Sequence, residues 1–187
     1  MGGEDSSLHE IEYIEANGTQ YIVTDIYFDT STEYELVFGF GNISSRQLFT
    51  GISGNKGDGY WAVTSSGYVE NTYNNPSSVN VANGVHTFIR SVGVKTVDGS
   101  SVSIASLADD AWFGRPTYPL CFFTYQNGQT NKGNGKLYSA KIRKNNVLVH
   151  NLIPVRIGQI GYLYDTISGT LYGNKGSGSF ILGHDKT

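Results

Sequence analysis

A chain of 187 residues with formal net charge −3 carries 24 glycines, 13 tyrosines and only 16% charged residues. That length suits one domain burying roughly 70% of its unfolded surface, and the weak negative charge leaves no basic footprint for nucleic acid or anionic lipid. The aromatic content argues against disorder, the absence of any apolar run near the ~18 residues of a membrane span argues against a spanning helix, and the single cysteine, Cys121, rules out an internal disulfide.

Residues 1–7 lack the apolar core of a signal peptide. Residues 1–10 read as a flexible leader or tag remnant, and residues 11–187 as a single domain. A short strand is expected at 11–14, a turn at Asn17-Gly18 and a strand at 20–26. Over 34–40, Tyr34, Leu36, Phe38 and Phe40 share one face, the period of two of a half-buried strand. A strand at 48–52 is followed by a loop at 53–59, and 60–64 pairs with 68–73 across Ser65-Ser66-Gly67. Residues 74–78 read as a loop. Asn83-Gly84 leads into a strand at 85–92, where Phe88, Arg90 and Val92 alternate with Thr87, Ile89 and Ser91. Asp98-Gly99 separates 95–97 from 102–104 as a tight hairpin.

Residues 106–119 are irregular, and the nearest approach to a helix, 106–112, is one or two turns at most. Residues 120–125 form the most apolar strand and are expected at the centre of a sheet. The stretch 135–180 is a run of strands. Residues 137–143 and 147–155 flank Lys144-Asn145-Asn146, and 160–164 and 170–173 flank a turn at 165–169. Short strands with turn signals about every 8–12 residues indicate an all-β fold, here a two-sheet antiparallel β-sandwich.

Certain residues carry a family likeness. The segment 13–24, Tyr-Ile-Glu-Ala-Asn-Gly-Thr-Gln-Tyr-Ile-Val-Thr, resembles the opening of laminin-G-like, concanavalin A-like jelly-roll domains of secreted, surface and phage-encoded proteins of gut bacteria. Residues 135–142, 152–156, 161–165 and 169–174 resemble the far end of the same family, with 48–51 and 97–99 in the expected order between. Val23 departs from it, since similar sequences often carry aspartate there. The resemblance implies two antiparallel sheets with a curved front face, in an extracellular, cell-surface or virion setting. It leaves the activity open, because such sandwiches serve as lectins, adhesion modules, glycosidases and structural domains.

Catalytic patterns are sparse. Sandwich glycosidases of the laminarinase type set acidic residues two apart on one strand, and retaining chemistry needs carboxyl groups about 5–5.5 Å apart. Glu33 and Glu35 have that spacing, but Val37 stands where a third carboxylate belongs, and both lie opposite the Tyr34/Leu36/Phe38 face. A solvated strand face is the simpler reading. His9, His86, His150 and His184 show no metal spacing, and Cys121 reads as a buried apolar residue. The glycine-rich 173–178 lacks phosphate-loop spacing and reads as a turn, while Asn17-Gly18-Thr19 and Asn42-Ile43-Ser44 fit the glycosylation sequon. No cofactor is expected. Calcium at a loop rim is the alternative, with Asp58, Asp109, Asp110 and Asp165 as available oxygens, although none forms a recognised calcium loop and Asp165 more simply begins its turn.

Binding is the better expectation. Saccharides are held by aromatic faces against the apolar side of a pyranose and by amides and carboxylates on its hydroxyls, and sandwich loops can supply both. The expected carbohydrate-binding set is Tyr73, Asn75, Asp110, Trp112, Arg115, Tyr118 and Asn127. Trp112 has an alternative role, plugging the sandwich edge with Phe113. Tyr125 begins one of the candidate loops, Tyr60-Trp61 reads as a strand pair, and Tyr138, Tyr162, Tyr164 and Tyr172 read as framework. The chain is therefore expected to be a non-catalytic glycan-binding or adhesion module whose partner is a glycan or host surface. The alternative is a structural or assembly domain with a protein partner in a larger virion or surface assembly. A glycoside hydrolase ranks third.

Overall fold

Alternation of apolar and polar side chains becomes seventeen strands among the described residues. The computed structural model describes residues 6–52, 61–70, 76–102, 118–125, 128 and 132–187. In chain order the strands begin β1 (Leu8–Glu10), β2 (Ile14–Asn17), β3 (Ile22–Val23), β4 (Thr32–Phe40), β5 (Gln47–Gly51) and β6 (Trp61–Val63). They continue β7 (Tyr68–Glu70), β8 (Pro76–Asn80), β9 (Gly84–Ser91), β10 (Val94–Val97), β11 (Ser100–Ser101) and β12 (Cys121–Phe122). The last are β13 (Asn134–Lys144), β14 (Val147–Ile157), β15 (Ile160–Asp165), β16 (Leu171–Gly173) and β17 (Ile181–Leu182). The described residues contain no α-helix.

Two antiparallel sheets make an all-β sandwich. The larger runs β11-β10-β9-β4-β13-β14-β15-β16, with β1 on β14 and β2 between β13 and β17; the smaller runs β3-β12-β5-β6-β7-β8. The Tyr34, Leu36, Phe38 and Phe40 face is buried, as its period requires. It meets the smaller sheet through an aromatic layer. Phe38 stacks on Phe49 at 4.8 Å between centroids, Phe49 lies 4.7 Å from Phe88, and Trp61 lies 5.4 Å from Phe88. Each such side chain contributes about 1.5–3 kcal/mol on burial, and this layer couples the sheets.

Turn chemistry sets the hairpins. Asn145 and Asn146 take φ of 49° and 64° between β13 and β14, and Asp98 and Gly99 take 49° and 78° between β10 and β11. Two successive left-handed residues match the right-handed twist of the flanking strands. At the turn after β15, Asp165 is wholly buried and gathers donors from Asn151, Ile167, Ser168 and His150.

Several boundaries differ from the sequence expectation. Residues 76–78, read as part of a loop at 74–78, open β8. Pro76 stands at its first position on the last strand of the sheet, where a missing N–H costs little. The strand expected at 20–26 shrinks to Ile22–Val23, since the Thr24 N–H donates to Leu120 and the Tyr21 carbonyl accepts from Lys175. The apolar strand at 120–125 shrinks to Cys121–Phe122, because Phe123 takes φ 62°; it does lie inside its sheet, between β3 and β5. Leu8–Glu10, counted with the leader, pairs with Val155–Ile157. Arg90 and Lys95 are carried inward beside Tyr34, whose hydroxyl burial pushes well above its ordinary value. The expected loop at 53–59 and the short turn at 106–112 lie outside the described residues.

Residues 10–13 pair with residues 183–186. Glu12 N–H donates to His184, Gly183 to Tyr13 and Lys186 to Glu10, each at 2.9 Å, while Arg156 holds both oxygens of Asp185 at 2.6 Å.

Candidate functional site

A bulge in β13 shapes one surface feature among the described residues. Leu137 pairs with Phe38 and Ser139 with Val37, so Tyr138 is the extra residue. An extra residue bends the strand and re-aims its side chain. Here the ring comes down over Gly39, where a Cβ would stand 3.0 Å from Tyr138 Cε2. Tyr13 tilts against Tyr138 with centroids 5.4 Å apart, and Lys136 Nζ sits 4.3 Å above the Tyr13 ring. Lys136 lies between Gly39 and Glu15 in register, and its ammonium is 4.0 Å from the Glu15 carboxylate.

Electrostatics fix the states of these groups. Burial works against the Lys136 charge, but the Tyr13 side chain and the Glu15 carboxylate outweigh it and raise its pKa, so the ammonium persists. Burial raises the Tyr138 hydroxyl against the opposing Lys136 charge, which keeps the phenol neutral and able both to donate and to accept.

Two depressions open on either side of the Phe40-Gly41 segment. The larger, about 260 Å³, is walled by Glu15, Asn17, Asn42 and Asn134; the smaller, about 160 Å³, by Gly39, Gly84, Lys136 and Tyr138. Gly135 lines the larger one at φ 135°, where a Cβ would come 2.4 Å from Phe38 Cε1, so no other residue fits. Asn134 is anchored by its N–H to Gln47 at 2.9 Å, and the loop carrying Asn42 by the Ile43 N–H to Asn83 at 3.1 Å. The three asparagine side chains are exposed.

No family model, curated protein or solved structure matches this chain.

Among their described lining residues the two adjoining depressions present one phenol, three amides, one cation and one carboxylate. They suit a ligand rich in hydroxyls. Among the described lining residues Glu15 has no second carboxylate beside it. Glu33 and Glu35, the pair with glycosidase spacing, face Arg143 at 3.5 and 3.4 Å, and Glu35 also faces Lys141 at 3.4 Å. They form cross-strand ion pairs on the sheet's outer face.

Of the sequence-derived binding set, Tyr73, Asn75, Asp110, Trp112, Arg115 and Asn127 lie outside the described residues, as do the candidate calcium oxygens of Asp58 and Asp109. Tyr118 is half-buried and packed against the hydrophobic core. Tyr125 is buried beside Leu48 and Ala62, and Trp61 is wholly buried. Asp165 spends both oxygens on its turn, and among the described residues no three His, Cys, Asp or Glu side chains gather as a metal group. The groove was not legible beforehand. Its walls come from segments around residues 15, 41, 84 and 136, and Tyr138 reads as framework until the bulge is seen.

Proposed function

We propose that this chain is a non-catalytic glycan-binding or adhesion module of a bacterial surface or phage protein, of laminin-G-like jelly-roll type, working outside the cell or on a virion. One observation carries the reading. Tyr138, tilted against Tyr13, and the Lys136 ammonium line one depression, and three exposed asparagine amides line the adjoining one across Phe40-Gly41. Aromatic rings suit the apolar face of a pyranose, and amides and charged groups suit its hydroxyls. A glycan array tests it with wild type and Tyr138→Ala. Binding to a defined glycan class, weakened about tenfold or more in the variant, supports the reading. A blank array, or binding indifferent to Tyr138, sinks it. Polysaccharide turnover that vanishes in Glu15→Gln or Glu35→Gln would point to a glycoside hydrolase instead.

A second reading, an assembly domain with a protein partner, has its own support. Leu8, Ile157 and Ile160 stand side by side across β1, β14 and β15, with Leu8 43% and Ile160 58% exposed. Light scattering that finds a stable oligomer, dispersed by Ile160→Glu, would favour it.

A further inference from the structure

The two depressions share Phe40 and Gly41, and one ion pair spans them. Lys136 walls the smaller, while its partner Glu15 walls the larger. Neither alone reaches the roughly 300 Å³ at which small-molecule sites begin, whereas the two volumes taken together do. Their chemistry also differs. The smaller offers the Tyr138 ring and the bare backbone of Gly39 and Gly84; the larger offers Asn17, Asn42 and Asn134. Resting on the glycan-binding proposal, we infer that the ligand is a neutral oligosaccharide at least two units long, laid across the Phe40-Gly41 rib. One pyranose faces Tyr138 and the next presents its hydroxyls to the asparagines. Neutrality follows from the lining charges, since Lys136 and Glu15 offset each other and the remaining described lining residues carry none.

Gly41 provides a clean test. A Cβ there meets nothing within 4 Å, and its φ lies outside the left-handed region, so a large side chain obstructs the rib without straining the fold. Calorimetric titration uses ladders of one to six units of β-1,4-linked glucose, α-1,4-linked glucose and β-1,4-linked N-acetylglucosamine. Wild type and Gly41→Trp are compared, with thermal midpoints recorded. In wild type, affinity in one series rises about tenfold or more between one unit and three, then levels. Gly41→Trp abolishes that rise and leaves the midpoint unchanged. Affinity independent of length, or a rise that survives Gly41→Trp, overturns the inference. So does binding confined to anionic glycans on the array, which leaves the broader glycan reading standing; a blank array removes both.

Discussion

Replacing Asp165 by asparagine removes an ionised hub from the interior. The carboxylate is 0% exposed and accepts from Asn151 N–H at 3.0 Å, Ile167 N–H at 3.1 Å, Ser168 Oγ at 2.7 Å and His150 Nδ1 at 2.8 Å. Burial alone would raise its pKa, but these donors win and lower it from 3.8 to about 2. Because the folded value lies below the unfolded one, the charged form favours the folded state. That stabilisation is complete above about pH 4 and disappears as pH falls through about 2. At about 1.4 kcal/mol per pH unit, the shift contributes about 2.5 kcal/mol near neutrality. Urea unfolding of wild type and Asp165→Asn near pH 7, 4 and 2.5 measures it. We expect a gap of about 2–3 kcal/mol near neutrality, shrinking below about 1 kcal/mol at the acid end. The comparison cancels other depressed carboxylates, such as those of Asp29 beside Lys144 and Asp98 beside His86. A gap that stays constant with pH, or none, refutes the reasoning.

Phe49→Ala empties the point where Phe38, Phe40 and Phe88 converge across the sheets, and should cost about 3–5 kcal/mol by denaturant unfolding. A loss under about 2 kcal/mol would show that the aromatic layer relaxes to fill the space. Asn146→Val forces a β-branched residue into φ 64° and should cost about 1–2 kcal/mol. Asn146→Gly should stay within about 0.5 kcal/mol, and equal losses for both would put the cost in the lost side chain instead.

The sequence disclosed most where one residue type answers one local demand. Asn145-Asn146 and Asp98-Gly99 supply left-handed backbone, and the 34–40 alternation has a single buried face, so both turns and β4 stand where read, although the strand after Asp98-Gly99 is Ser100–Ser101 and not the expected 102–104. Legibility failed where distant segments decide. Pro76 suits a strand only because β8 lies at the end of its sheet, and Phe123 breaks its strand by taking a left-handed φ that its neighbours give no reason to expect. Arg90 shares the buried face of Phe88, as the period of two requires, and what the sequence does not disclose is its register opposite Tyr34 and Lys95. The groove belongs to the same class. Local reading sought binding groups in loops, whereas its platform depends on a register slip between β4 and β13, which no window of either strand contains.

The pairing of an early segment with a late one has a mechanical consequence. Segments 10–13 and 183–186 run antiparallel, so tension drawing residue 186 away from residue 10 loads the Lys186 contact, the Arg156–Asp185 pair, and the His184 and Gly183 contacts in turn. Such a seam opens one contact after another, while the aromatic layer behind it holds. Under a steady pull the first event should be the later segment lifting away, with the sandwich still intact.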